Sequence, residues 1–308
     1  MRNIQHKREA YWFYRFLSHF YDDYVNPFFW TERMRDTALA LAGLTDPNLQ
    51  IIDVGAGTGF TTLGIVKSVD PRNVVCIDQS PHQLSKATQK PELRGCRFQI
   101  ADAENLPFPT DRFDRYVSAG SIEYWPHPQR AISEAYRVLK AEGIAVVIGP
   151  LRPQNWLAAI LADTWMLFPS EEQYMQWFEQ AGFSDIQKRY VAPAWVRNEN
   201  YGFVIAGKKL TSGKSSLQLN SVATEESHQA EGLSPSISML RRLFIGTVAG
   251  FMFIPIAVFG YLRYYLRRIF SKNVTPQPDE SPPLTRHQII SLIIILAAIC
   301  IVIYLSIA

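Results

Sequence analysis

The residues best suited to chemistry form an ordered series in the first half of the chain. The earliest is Asp53-Val-Gly-Ala-Gly-Thr-Gly59, which follows the apolar run Gln50 to Val54 directly. Glycines at a strand-to-helix turn let backbone approach a ligand closely at the carboxyl edge of a doubly wound sheet. A dinucleotide loop of the GxGxxG type would need its third glycine one position later, where Phe60 stands. Asp78 closes the next apolar run, Val74 to Asp78, and a carboxylate there can accept both hydroxyls of a ribose. Asp102-Ala103 and Ser118 follow the third and fourth runs. Glu123 and His127 lie just beyond Ser118, and either is a candidate proton acceptor. Each also has a bland alternative. Asp53 can fix the turn, Gly59 can serve helix packing, Asp102 can be a solvated loop acid, Glu123 can be a structural partner, and His127 between two prolines can shape a turn.

These positions need a scaffold that brings strand ends to one edge. Apolar strands near 50–54, 73–77, 97–100, 115–118 and 144–148 alternate with helices near 61–69, 81–89 and 128–139. That alternation predicts an α/β fold with a doubly wound, mostly parallel sheet covered on both faces. Ser170-Glu-Glu-Gln173 is a capping box opening a helix that ends at Gly182. Runs at 185–192 and 201–206 complete a seven-stranded sheet as an antiparallel hairpin. The first 44 residues read as aromatic helices, broken at Asn26-Pro27 and restarting at the N-cap Thr31.

Composition narrows the classes. A formal net charge of +3 over 308 residues argues against a nucleic-acid partner, and three cysteines without metal-ligand spacing argue against a zinc site or a disulfide framework. No apolar h-region follows Met1, so no secretory signal is expected. Segments 243–262 and 289–308 carry no charge and are each long enough to span a bilayer. The expected organisation is a helical cap at 1–45, a catalytic domain at 46–210, a polar flexible linker at 211–236 and a membrane anchor at 237–308.

The loop resembles the SAM-binding (S-adenosylmethionine) motif of class I methyltransferases: GxGxG after an acidic residue, with the later landmarks in order. Leu139-Lys-Ala-Glu-Gly143 resembles their L-K-x-G-G turn, with Glu142 in place of the first glycine. The resemblance implies SAM as cofactor, held by Asp53, Gly55, Gly57, Gly59, Asp78, Gln79, Asp102, Ala103 and Ser118. Asp102 would meet the adenine amino group, and Ala103 would offer its backbone N–H.

Longer phrases point to one family. Gln5 to Leu17, Gly57 to Lys67, Asp78 to Leu84, Ala103 to Thr110, Tyr116 to Pro126 and Trp165 to Pro169 resemble the 2-methyl-6-phytyl/solanesyl-benzoquinol methyltransferases of plastids and photosynthetic organisms. The resemblance covers roughly residues 5–220. It implies C-methylation of a membrane-resident prenyl-quinol in tocopherol and plastoquinone synthesis. Tyr124, Trp125 and Trp165 would then line the acceptor. The aromatic N-terminal helices and the stretch from Trp156 to Phe168 would form a lid and an apolar slot.

Other readings are a methyltransferase of a menaquinol, phylloquinol, ubiquinol, sterol or lipid, and a non-catalytic SAM-binding membrane protein. Arg263, Arg267, Arg268, Lys272 and Arg286 lie between the two apolar segments. Counting positive charges would place that loop on the SAM side and the catalytic domain across the membrane. The cytoplasmic origin of SAM overrides this and puts the catalytic domain on the cytoplasmic or stromal side. Alternatively, the first segment lies within the interface.

Overall fold

The computed structural model describes residues 2–5, 7–17, 29–193, 195–196, 201–217 and 237–270. The break at Asn26-Pro27, most of the linker and the segment 289–308 lie outside these residues.

Seven strands form one sheet: β1 (Ile51–Val54), β2 (Val74–Asp78), β3 (Arg97–Ile100), β4 (Phe113–Ala119), β5 (Leu139–Pro150), β6 (Ser184–Val191) and β7 (Gly202–Lys208), in the order β3-β2-β1-β4-β5-β7-β6. The first five run parallel, and β7 enters antiparallel to both β5 and β6. Strand order reverses between β1 and β4, whose carboxyl ends therefore open the crevice where ligands bind.

Alternation along each central strand sends successive side chains to opposite faces. Ile52, Tyr116, Val147 and Ile205 pack on one face, beneath α5 (Pro128–Val138) and α7 (Glu171–Ala181). Ile51, Val117, Val146 and Val204 pack on the other, beneath α2 (Glu32–Leu39). Both faces are buried, which is why these strands read as continuous apolar runs.

Several local signals are realised as read. Thr31 caps α2, its hydroxyl accepting from Met34 N–H at 3.4 Å, and Ser170 with Gln173 forms the capping box of α7. The fifth strand is longer than 144–148. Leu139 pairs with Phe113 and Ile144 with Arg115, so the predicted turn at Lys140–Gly143 is an insertion inside β5. Glu142 takes a left-handed φ of 68° there, and its N–H donates to the Lys209 carbonyl at 2.7 Å.

The remaining helices are α1 (Lys7–Leu17), α3 (Phe60–Ile65), α4 (Pro81–Ala87), α6 (Trp156–Trp165), α8 (Ile237–Phe251) and α9 (Phe253–Phe270). The last two interrupt one apolar run, 28 residues from Ile237 to Tyr264, with a mean hydropathy of 2.2 in its most apolar window. Pro255 explains the interruption at Met252, because it brings no N–H to the helix and its ring crowds the preceding turn.

Candidate active site

The loop after β1 is shaped by backbone that only glycine adopts easily. Gly55, Gly57 and Gly59 have φ of 72°, 56° and 87°. The amides of Gly55 and Ala56 both donate to the Ile77 carbonyl at 2.9 Å, which fastens the loop to β2. A Cβ on Gly55 would lie 2.2 Å from Ser121 Oγ, whereas one on Gly57 would meet nothing nearer than 4.0 Å. Gly57 thus has open space for a ligand. Gly59 faces Leu93, 2.4 Å from a Cβ placed there, and serves packing. Gly55→Ala combines a left-handed φ with this clash, and is expected to lower affinity for S-adenosylhomocysteine roughly a hundredfold or more by displacing the loop. Calorimetric titration measures this, and an unchanged affinity would contradict the loop's role.

Asp78 lies across from Gly57. Its carboxylate accepts from Gly57 N–H at 2.9 Å and from Ser80 N–H at 2.8 Å. Burial pushes its pKa up to about 6 despite those bonds. Gln79 and Gln83 line the same cleft, and Gln83 Oε1 is buried without a hydrogen-bond partner. Ala103, Tyr124 and Trp125 line it too, with Trp125 Nε1 donating to Ser121 Oγ at 3.0 Å.

Four expected cofactor residues sit elsewhere. Asp53 is fully buried beneath the loop, accepts from Thr62 Oγ1 at 2.6 Å, and is pushed up to about 7 by burial, with the Asp78 charge adding. It braces the turn through a side chain rather than through backbone amides. Ser118 is buried inside β4 and lines neither cavity, and Gly59 lines neither. Asp102 is held by Lys7 of α1, its Oδ2 2.6 Å from Nζ, while Glu104 lies 3.3 Å from the same ammonium. Burial pulls the Lys7 pKa down, but the two carboxylates outweigh it and hold the pKa above its usual value. Lys7, not Asp102, faces the cleft.

One lining residue was not anticipated. Arg35 of α2 is 3% exposed. Its Nε donates to Asp36 at 2.7 Å, its Nη1 to the Phe60 carbonyl at 3.1 Å, and its guanidinium lies 4.8 Å from the Phe60 ring centre. Its Nη2 makes no hydrogen bond and has only the exposed Glu32 carboxylate at 3.5 Å. Lys7 and Arg35 are the cations lining the cleft among the described residues, and Lys7 is already paired.

Trp30 and Tyr124 also line a second cavity of about 390 Å³, so the two share a wall. Phe13, Trp165, Met166, Phe168 and Phe253 make it apolar. Glu123 is the carboxyl side chain lining it among the described residues. Its residue is 2% exposed, and its Oε2 has no hydrogen-bond partner. Burial pushes its pKa up to about 8. Trp165 packs on Phe13 and Phe253, with ring centres 6.3 and 5.5 Å away. His127 is exposed and lines neither cavity; its backbone N–H donates to Glu104 at 2.7 Å. A buried acid with one unsatisfied oxygen beside a ligand-sized apolar cavity is a candidate for proton transfer.

Comparison with known proteins agrees with this geometry. Residues 52–147 match the family model described as a methyltransferase domain. A SAM-dependent methyltransferase of Thermotoga maritima shares the fold at 22% identity, covering 64% of this chain and 98% of that one with a TM-score of 0.51. The Arabidopsis thaliana protein 2-methyl-6-phytyl-1,4-hydroquinone methyltransferase, chloroplastic, is 52% identical over 267 residues, 85% of this chain and 78% of its own. A rice protein named 2-methyl-6-phytyl-1,4-hydroquinone methyltransferase 2, chloroplastic, is 51% identical over 267 residues, 85% of this chain and 76% of its own. With half its residues shared across most of both lengths, the chain belongs to the 2-methyl-6-phytyl-1,4-hydroquinone methyltransferase family.

Proposed function

We propose that this enzyme methylates a ring carbon of a prenylated benzoquinol, 2-methyl-6-phytyl- or 2-methyl-6-solanesyl-1,4-benzoquinol, using SAM, at a membrane. The observation that carries the reading is Glu123, a buried carboxyl whose Oε2 has no hydrogen-bond partner, on the wall of an apolar cavity that adjoins the glycine-loop cleft.

The cleft fits SAM on its own residues. Asp78 would accept the ribose hydroxyls, the open face of Gly57 would admit the ligand against backbone, and the Ala103 backbone lies where an adenine edge would sit. Arg35 Nη2, which makes no hydrogen bond and has only the exposed Glu32 carboxylate at 3.5 Å, would donate to the amino-acid carboxylate. SAM supplies an electrophilic methyl group on a sulfonium when bound. The chain must hold an aromatic carbon in line with that methyl, and Trp30 and Tyr124, which line both sites, are the wall between them.

Glu123 does the remaining work. A hydroquinone carbon is a stronger nucleophile when its hydroxyl is ionised, and a phenol has a pKa near ~10. An ordinary glutamate near ~4.3 is a weak base for that proton, whereas the apolar cavity raises Glu123 to about 8. The acceptor hydroxyl would give its proton to Glu123 Oε2; once the ring carbon has taken the methyl group, the ring proton would pass to solvent and Glu123 would return its proton to the ring oxygen.

The apolar run from Ile237 to Tyr264 and the plastid names of the relatives support work at a photosynthetic membrane, with the catalytic domain on the cytoplasmic or stromal side. The discriminating experiment compares initial rates on phytyl- and solanesyl-benzoquinols with those on the demethyl precursors of menaquinol, phylloquinol and ubiquinol and on sterol acceptors. Faster turnover of any of these would replace this reading.

A further inference from the structure

The apolar pair α8–α9 is attached to the catalytic domain along most of its length. Three glycines receive side chains from it. A Cβ on Gly246 would lie 2.5 Å from Ile4 Cγ1, one on Gly250 2.7 Å from the Trp165 ring, and one on Gly260 2.5 Å from the Trp195 ring. Any larger residue at these positions would hold the helices away from the domain. Small residues four apart permit such close approach.

An ion pair buried on its Glu9 side adds to the contact. Arg242 Nε donates to Glu9 Oε1 at 2.6 Å, and the Glu9 side chain is 2% exposed. Phe253 stacks on Phe168 with ring centres 6.1 Å apart, and Tyr261 lies 6.0 Å from Trp195. Between Arg242 and Tyr261 the pair advances roughly 28 Å at helical rise. A helix clasped over that distance by a domain carrying ion pairs cannot cross hydrocarbon without burying those charges in lipid. The pair must therefore lie along the membrane face of the domain.

The inner side of this pair closes the second cavity. Gly250, Phe251, Phe253, Ile254 and Ile256 line it opposite Phe13 and Trp165. The outer side stays apolar and exposed at Phe244, Val248, Phe259 and Leu262, continuous in character with Trp156, Leu157 and Ile160 of the adjoining α6. The ring end of the cavity is marked by Glu123 and the other end by helices that face lipid.

Resting on the proposed function, we propose that α8–α9 is the outer wall of the acceptor's tail site: the prenyl chain lies between this helix pair and α6, entering from the bilayer. Residues Gly250 and Phe253 then determine tail specificity, and the C-terminal segment belongs to the active site.

The test uses the full chain in lipid nanodiscs with 2-methyl-6-phytyl-1,4-benzoquinol and tail-less 2-methyl-1,4-benzoquinol. Gly250→Leu fills the notch at the cavity, and Gly260→Leu displaces the same helix pair from α9 without lining the cavity. Each is expected to shrink the preference in kcat/KM for the phytyl over the tail-less acceptor roughly tenfold or more, chiefly through KM, with S-adenosylhomocysteine still bound. A preference equal to that of the unsubstituted enzyme in both variants, or equal losses on both acceptors, overturns the proposal. An unsubstituted enzyme that binds S-adenosylhomocysteine but methylates neither acceptor would instead overturn the proposed function, and the tail site with it.

Discussion

Replacing Glu123 with glutamine is expected to lower methyl transfer about a hundredfold or more, the usual contribution of a positioned general base. The amide matches the carboxyl in shape, so S-adenosylhomocysteine binding should survive and separate lost chemistry from a lost fold. The pH profile is the more demanding measurement. Burial raises the Glu123 pKa to about 8, and a base works only when ionised. Turnover should therefore climb with pH and level off above about 8, and the climb should vanish in Glu123→Gln.

Stability runs in the opposite direction. The folded chain keeps a proton on Glu123 that the unfolded chain releases near ~4.3, so this group's contribution falls as pH rises from that value to about 8. Glu123→Gln should melt higher than the unsubstituted enzyme at pH 8 and lose that advantage in acid. A variant with full activity, or a profile without the climb, would remove Glu123 from the reaction.

Replacing Arg35 with methionine should weaken S-adenosylhomocysteine binding roughly ten- to hundredfold, the range of one lost charge-assisted contact. The informative control is 5′-methylthioadenosine, which lacks the amino-acid carboxylate. Its affinity should change far less, because only the carboxylate has business with Nη2. Arg35 also packs on Phe60 and would sit 2.7 Å from a Cβ placed on Gly64. A purely structural role would therefore weaken both ligands alike. Arg35→Lys keeps a charge and should fall between the two.

What was legible in the sequence is what is encoded by neighbours. The loop from Asp53 to Gly59 needs left-handed glycines at a strand end, and Asp78 needs only to close the next strand. Both act within one strand–turn–helix unit, so pattern and chemistry coincide. The seven-stranded, mostly parallel sheet followed from the same alternation. The fifth strand was read short because Lys140–Gly143 looks like a turn, while pairing with β4 and β7 draws it into the sheet.

The site residues that were misplaced depend on distant partners. Asp102 stands where such enzymes carry an acid, yet Lys7 arrives from 95 residues away to hold it. Glu123 and His127 were equivalent by spacing, and only the course of the turn after β4 buries one and exposes the other. Arg35 left a trace that could have been followed. It occupies the buried stripe of α2 with Met34, Ala38 and Leu39, where a charge is costly unless a ligand or partner uses it. The spacing of the glycines in the C-terminal run was visible, but Trp165 and Trp195, the side chains that meet Gly250 and Gly260, were not.

The most direct measurement follows a labelled methyl group from SAM into 2-methyl-6-phytyl-1,4-benzoquinol in membranes containing this enzyme, and locates the label in the product by carbon NMR. Label on a ring carbon, accumulating about a hundredfold more slowly with Glu123→Gln, is the predicted result. Label on a hydroxyl oxygen, or an unlabelled quinol in the presence of enzyme that binds S-adenosylhomocysteine, would contradict it.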